Sequence, residues 1–298
     1  MNKTLTTCIV CGSSDLNPLE GFKTVQLTRC RSCRMVFSPD VPSEDTLKTH
    51  YGNYPLFISV TETTKKRYNQ ILDKLEQYRQ TNRLIDVGCG EGFFLEEAKR
   101  RGWEVYGTEY ADLYIQIGER KGFRMQQGIL DESRYEAGSF DVVTSFEVIE
   151  HLLTPVPEVR KFHTLLRAGG ALYLTTPNFN SISRKTLGSR WSAICWPDHL
   201  SYYTPATLDF LLRNAGFQRK ELLTTGVSLE RFRQTLTGSR HGEKKHETDE
   251  YRSLDHNLQE VLEKRTLLRW LKAIINRMLT FTSTGDAMKV LYEKTNGR

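Results

Sequence analysis

The stretch RLIDVGCGEGFFLEEAKRRG, residues 83–102, decides the fold. A short apolar run reaches Asp86, a glycine-rich turn follows, and a helical pattern closes on Gly102. Glycines at 88, 90 and 92 let the backbone turn sharply and let a ligand approach main-chain atoms that a side chain would shield. Next comes WEVYGTEY, residues 103–110, a second strand that ends in Glu109, twenty-three residues beyond Asp86. An acid at that tip is placed to accept hydrogen bonds from the two hydroxyls of a ribose.

The same residues choose between nucleoside cofactors. A dinucleotide fold asks for a third glycine at position 93, where this chain has Phe93. A pyrophosphate would also meet the carboxylates of Asp86 and Glu91. A cationic sulfonium tolerates acids and needs no phosphate cradle, so S-adenosylmethionine fits better than NAD.

Working outward, FRMQQG (123–128) reads as a third strand and SFDVVTSFEV (139–148) as a fourth. PEVRKFHTLLRAGG (157–170) is expected as a helix ending on paired glycines, and ALYLTTPN (171–178) as a fifth strand. TPATLDFLLRNAGF (204–217) is a helix with Thr204 as N-cap and Pro205 in the first turn. RKELLTTGVSL (219–229) supplies a sixth strand and AMKVLYEK (287–294) a seventh. Strands alternating with helices imply an α/β fold, doubly wound, with a mostly parallel sheet covered on both faces.

The first fifty residues form a separate pattern. CIVC places Cys8 and Cys11 two residues apart, CRSC does the same for Cys30 and Cys33, and eighteen residues separate the pairs. That spacing is expected of a four-thiolate structural zinc site, each pair on a tight turn with Gly12 or Ser32 beside it. Between the pairs only Lys23 and Arg29 are basic, too few to track a phosphate backbone, so nucleic acid is not the expected partner. An irregular connector follows. Residues 62–80 then carry Tyr68, Ile71, Leu72, Leu75 and Tyr78 at helical spacing, a helix expected to dock the ribbon on the larger domain.

LIDVGCGEGFFLE, Glu109, GSFDVVTSFEVIEHL, LRAGGALYLTTPN and YYTPATLDFLLRNAGF together resemble class I S-adenosylmethionine-dependent methyltransferases, over about residues 60–230 and again at the last strand. The chain is most similar to ubiquinone-type O-methyltransferases and to methyltransferases of glycan and secondary-metabolite pathways, some with a similar cysteine module. The resemblance implies a seven-stranded Rossmann-like sheet. It also implies that Asp86, Gly88 and Gly90 line the methionine part of the cofactor, that Glu109 holds the ribose, that Ile129 and Leu130 flank the adenine, and that Phe146 lies under it.

SFEVIEHL, residues 145–152, carries the candidate chemistry. In a helix, steps of three and four would bring Glu147, Glu150 and His151 toward one face. An oxygen nucleophile must lose or share its proton before it attacks a sulfonium. His151, oriented by Glu147 or Glu150, is a candidate base. A divalent cation polarising the acceptor is the alternative. Small-RNA ribose methyltransferases hold such a cation with a similar Glu-x-x-Glu-His set plus a distant histidine. By that resemblance Glu147, Glu150, His151 and His199 form a tentative second metal site suited to manganese, iron or zinc. The bland alternative is a solvated polar face. Trp191, Trp196, Tyr202 and Tyr203 surround His199 as core or as a stacking surface, and Cys195 is expected as a small buried filler.

Lysine and arginine exceed the acids by 42 to 36 over 298 residues, a surplus of six that names no partner by itself. The start lacks a signal-peptide core and no run is apolar enough to span a membrane, so a cytoplasmic protein is expected. The expected organisation is a zinc ribbon (1–50), a connector and docking helix (51–82), and a methyltransferase domain (83–298) with a helical insertion at about 230–283. Within it residues 238–257 are charged, and 258–281 are amphipathic, with Leu258, Val261, Leu262, Leu268, Leu271, Ile275 and Met278 beside Lys264, Arg265, Arg269, Lys272 and Arg277. Such a helix suits peripheral membrane contact, closure over the protein's own cleft, or pairing in a homodimer. The expected activity is methyl transfer to a hydroxyl of a small-molecule or glycan acceptor. The alternatives are ribose methylation of RNA and a non-catalytic, zinc-dependent scaffold.

Overall fold

The computed structural model describes residues 4–22, 25–43, 46, 59–227 and 266–295. Its larger sheet contains β4 (Arg83–Val87), β5 (Glu104–Glu109), β6 (Arg124–Gln127), β7 (Phe140–Phe146), β8 (Leu166–Pro177), β10 (Phe217–Thr225) and β11 (Ala287–Lys294) in the order β10-β11-β8-β7-β4-β5-β6. The β8-β7-β4-β5-β6 ladders are parallel, whereas β11 runs antiparallel to β8 and β10.

Neighbouring residues on these strands serve opposite cores. Leu84, Val142, Ala171 and Tyr173 face a cluster with Leu72, Leu75, Phe94 and Leu95, whereas Ile85, Val143, Leu172 and Leu174 face one with Val159, Phe162, Leu208 and Leu211. The first layer comes from α1 (Glu62–Leu75) and α2 (Phe93–Arg100), the second from α4 (Pro155–Leu165) and α6 (Pro205–Asn214). Being buried on both faces explains why these strands read as apolar runs. Each such side chain contributes about 1.5–3 kcal/mol. The helix starts follow their sequence signals: Thr61 Oγ1 accepts from Thr64 N at 3.2 Å, and Thr204 with Thr207 forms a capping box ahead of Pro205.

Three expectations change. The helix before β8 ends at Leu165, and strand structure runs through Gly169 and Gly170 instead of starting after them. A Cβ at Gly170 would lie 3.0 Å from the carbonyls of Arg167 and Asp141, so the glycine serves close strand contact beside the register shift in the β7–β8 pairing, not helix termination. The sixth strand stops at Thr225. The charged segment 238–257, and Leu258, Val261, Leu262, Lys264 and Arg265, lie outside the described residues. The remainder forms α7 (Thr266–Thr282), which buries Leu279 and exposes Trp270, Leu271, Ile274, Ile275, Met278 and Phe281. Among the described residues no helix is long and apolar enough to cross a membrane.

The N-terminal strands β1 (Leu16–Pro18), β2 (Thr28–Cys30) and β3 (Val36–Phe37) form a sheet completed by β9 (Ser201–Tyr202), which belongs to the larger domain. Val36 pairs with Tyr202 and Phe37 with Ser201. Cys8, Cys30, Met35 and Phe37 enter the same core as Leu208 and Leu211. Strand pairing and this shared core therefore attach the ribbon. Helix α1 packs on α2, with Arg101 bonding Asn69 and Asp73.

Candidate active site at the carboxyl edge of the sheet

The glycine turn after β4 is held open by its neighbours. Gly88 N–H donates to Thr108 O at 3.0 Å, and Gly90 N–H donates to Glu109 Oε2 at 2.9 Å. The other oxygen of Glu109 accepts from Tyr110 N and Ala111 N at 2.7 and 3.2 Å, ahead of α3 (Asp112–Arg120). Gly88 and Gly90 have φ of 74° and 54°. A Cβ at Gly88 would strike Val148 at 2.5 Å, whereas none would meet anything within 4 Å at Gly90. Gly90 thus borders open space where a ligand can reach the backbone.

Acids converge on this turn. Asp86 is buried and accepts from Thr144 Oγ1 at 2.7 Å; burial and the nearby Glu109 charge push its pKa up to about 7 against that hydrogen bond. Tyr68 rises to about 12 through burial and the charges of Asp86 and Glu91, and Tyr114 to about 12 through burial, Glu91 and Glu109. Such a pocket prefers a cation. Tyr68 packs edge-on against Phe94 at 5.5 Å, and Phe94 against Phe146 at 4.8 Å, which gives the pocket an aromatic wall. Ile129 is 68% exposed beside the turn, while the Leu130 side chain enters the core and its carbonyl accepts from Lys161.

SFEVIEHL is not an α-helix. β7 ends at Phe146, Glu147 takes a left-handed φ of 53°, and a single 3-10 turn covers Ile149–His151. The common helical face is therefore corrected: Glu147 is exposed, whereas Glu150 is buried. One ligand atom each from Glu150, His151 and His199 lies within 4.8 Å of the others, a group that does not include Glu147. The ring centroids of His151 and His199 are 4.9 Å apart.

The hydrogen bonds around this group assign its lone pairs. His151 Nδ1 lies 2.8 Å from the Asp198 carbonyl, and His199 Nδ1 lies 2.8 Å from the Ala193 carbonyl. A carbonyl only accepts, so each Nδ1 carries a proton. Glu150 Oε2 accepts from Thr176 Oγ1 at 2.8 Å, while Oε1 is buried with no hydrogen-bond partner among the described residues. Two imidazoles beside a buried carboxylate can hold a cation or, once deprotonated, take a proton. Burial, then the charge of Glu147, raises Glu150 to about 8. Burial pulls His151 down, but the Asp198 hydrogen bond and the charges of Glu150 and Asp198 outweigh it, to about 9.

Sequence reading missed Asp198, whose carboxylate is 3.1 Å from His151 Nδ1, and the grouping of Cys195 with Asp198 and His199. The one available signal was the adjacency of Asp198 to His199 in WPDH. Cys195 is half-buried beside polar groups, unlike the filler expected. His199 depends on the ribbon's surroundings: Leu200 N–H donates to Glu150 O, Ser38 N–H to Leu200 O, and Trp196 Nε1 to Asp40 O. A groove lined by Tyr78, Arg167, Gly169, Lys220 and Glu293 opens where β8 begins, away from these groups.

In the ribbon the four cysteine sulfurs lie within 4.8 Å of one another, with Cys8–Cys33 and Cys11–Cys30 at 3.5 Å. Tetrahedral thiolates at ~2.3 Å from one ion would be about 3.8 Å apart, so the donors fit a metal. Gly12 and Arg34 follow the second cysteine of each pair with φ of 73° and 65°, and their N–H groups donate to Cys8 O and Cys30 O. Arg34, rather than Ser32, is thus the counterpart of Gly12.

Residues 60–222 match the family model described as a methyltransferase domain. Over 165 residues the chain is 32% identical to a ubiquinone biosynthesis O-methyltransferase of Xanthomonas axonopodis pv. citri, covering 51% of this chain and 68% of the relative. A protein of the same description from Ruegeria pomeroyi is 35% identical over 148 residues, covering 46% and 60%. Among solved structures, a SAM dependent methyltransferase from Archaeoglobus fulgidus shares the fold with a TM-score of 0.51 at 20% identity, over 78% of this chain and 94% of that one.

Proposed function

Because the chain belongs to the methyltransferase-domain family and is an S-adenosylmethionine-dependent methyltransferase, we propose that it methylates a hydroxyl oxygen of a small-molecule or glycan acceptor. His151 serves as the base or as a ligand of a divalent metal. The observation that carries this reading is the buried Glu150 carboxylate grouped with His151 and His199, its Oε1 without a hydrogen-bond partner among the described residues. Burying a carboxylate oxygen without a partner costs a few kcal/mol, which a cation or an acceptor hydroxyl would offset. The relatives' description as O-methyltransferases supports oxygen as the acceptor atom.

In this reading the cofactor supplies an electrophilic methyl group on a sulfonium. The chain does the rest. Gly88 and Gly90 leave the backbone open to the methionine portion, Glu109 accepts from the ribose, Ile129 flanks the adenine, and Phe146 with Tyr68 closes the pocket against water. Asp198 and Ala193 hold the His151 and His199 rings through Nδ1, and the acceptor hydroxyl is proposed to meet Nε2 of the deprotonated His151 ring. A divalent metal, if held by Glu150, His151 and His199, would lower the pKa of the acceptor hydroxyl. Zinc is proposed for the four-cysteine cluster, where it staples the ribbon. We include peripheral contact with an anionic membrane through α7, which has exposed Trp270 and Phe281, basic Arg269, Lys272 and Arg277, and no acid. Flotation with phosphatidylglycerol vesicles should be lost in Trp270→Glu; equal flotation of the variant would remove this contact.

The deciding experiment incubates the protein with methyl-labelled S-adenosylmethionine and nucleotide sugars, phenols and short RNAs, with and without chelator. Label on a phenol or sugar hydroxyl is expected; label on RNA alone contradicts the acceptor class.

Asp86 makes cofactor binding depend on pH. Its folded pKa of about 7 lies above the usual carboxylate value, so the folded protein keeps a proton that the unfolded chain loses. The stability it contributes is full below the ordinary value and is lost as pH rises through 7. A cationic ligand favours the ionised form. Affinity for S-adenosylmethionine should therefore weaken toward about tenfold per pH unit below 7. Calorimetry in buffers of different ionisation enthalpy should show proton release near pH 7 that vanishes in Asp86→Asn; binding without proton release would contradict this.

A further inference from the structure

The loop between β8 and β9 groups three metal-binding side chains of its own. Cys195, Asp198 and His199 each offer one ligand atom, and these atoms lie within 4.8 Å of one another. His199 N–H donates to Cys195 O at 2.8 Å, a turn that folds the first and last of the three together. The loop is anchored on both sides: Trp191 and Ala193 are buried, Trp196 Nε1 donates to Asp40 O at 3.2 Å, and Tyr202 OH donates to His199 O at 3.0 Å. Backbone bonds and packing therefore hold the donors near one another in advance of any ion.

The bonds these side chains already make decide which atoms face the centre. His199 Nδ1 lies 2.8 Å from the Ala193 carbonyl, so a metal would be met by Nε2. Asp198 Oδ2 is 4.0 Å from that Nε2, while Asp198 Oδ1 is 3.1 Å from His151 Nδ1. An ion with bonds of ~2.0 Å to nitrogen and oxygen and ~2.3 Å to sulfur sets tetrahedral donors about 3.3–3.5 Å apart, so the imidazole and the carboxylate need approach by only about 0.7 Å. A thiolate with an imidazole and a carboxylate suits zinc rather than magnesium or calcium, which take oxygen ligands. Binding would expel the Cys195 thiol proton. Three protein ligands leave a fourth position to water, and Cys195, Asp198 and His199 are each partly exposed, so water can reach it.

His199 has a single Nε2, and it cannot complete this group and the one with Glu150 and His151 together. We propose that Cys195, Asp198 and His199 hold a second zinc ion, with the other oxygen of Asp198 turned to His151. The role of the ion rests on the hydroxyl-methyltransferase reading. Within it the zinc stands behind the base: it fixes the carboxylate that holds the His151 ring, as partners of metal ligands are fixed elsewhere, and it is not the Lewis acid on the acceptor.

The test counts zinc by elemental analysis in the full chain, loaded with excess zinc and desalted. Two zinc ions per chain are expected in the wild type and in Glu150→Gln, and one in Cys195→Ser and in His199→Ala, with S-adenosylhomocysteine affinity showing that each variant is folded. One measurement needs no variant: cobalt added to wild type whose ribbon holds zinc should show thiolate-to-cobalt absorption, because Glu150, His151 and His199 carry no sulfur. One zinc ion in the wild type, two in Cys195→Ser, or cobalt bound without that absorption overturns the site. The nitrogen-15 signals of the His151 ring, assigned by their loss in His151→Ala, should shift when the second zinc enters the wild type and stay in place in Cys195→Ser. Signals that ignore the ion overturn its link to His151. A wild type that holds two zinc ions but binds no S-adenosylhomocysteine overturns the methyltransferase reading and leaves the zinc site standing.

Discussion

Replacing His151 by alanine is expected to lower turnover about 10²–10⁴-fold, the usual worth of a positioned proton-transfer group, while S-adenosylhomocysteine binds as to the wild type. The expectation follows from where the ring is held. Asp198 holds Nδ1, the ring is grouped with His199 and Glu150, and the glycine turn that faces the cofactor is held by other residues, Thr108 and Glu109. Turnover on any acceptor the wild type methylates, measured with cofactor affinity, separates the outcomes. Loss of turnover with affinity intact places His151 in the chemistry. Turnover within a fewfold of wild type would reduce the cluster to structure. Glu147→Ala is a useful companion, because Glu147 stands outside the ligand group and should affect the rate far less.

Cys11→Ser should be nearly as severe, by another route. Cys11 is exposed, so its loss removes one of the proposed zinc ligands without opening the core that Cys8 and Cys30 help to fill. Structural zinc supplies about 10–16 kcal/mol in small zinc-finger peptides, and three strands of two or three residues could not replace it. The bound ion should be lost and residues 4–43 should become sensitive to protease. Turnover should fall as well, because β3 pairs with β9 and Ser38 holds Leu200, the neighbour of His199. Elemental analysis with limited proteolysis checks this; one zinc retained per chain and unchanged resistance would contradict it.

The parts legible in the sequence were those whose signals are local. Asp86, Gly88, Gly90 and Glu109 lie within one strand-turn-helix-strand unit, so spacing alone placed them around one turn. The apolar runs of β4, β7 and β8 reported burial on both faces, and the cysteine spacing reported a cluster. What stayed hidden depends on distant pairing. β9 has two residues, too few for any periodicity, yet it joins the ribbon to the larger domain. The antiparallel direction of β11 is fixed by its pairing with β8 and β10. Glu147 adopts a glycine-like backbone conformation without being glycine, so SFEVIEHL read as a helix when it is a kink and one 3-10 turn. That kink separates Glu147 from Glu150, leaving the first exposed and the second buried.

The most direct test of the central claim is equilibrium binding of labelled S-adenosylmethionine to wild type, Glu109→Ala and His151→Ala. Glu109 accepts from Gly90, Tyr110 and Ala111 and stands where the ribose is proposed to lie. The account predicts that wild type and His151→Ala bind alike, and that Glu109→Ala binds at least about tenfold more weakly, as expected for a lost charge-assisted hydrogen-bond pair. A wild type that does not bind the cofactor, or a Glu109→Ala variant that binds it as the wild type does, would contradict it.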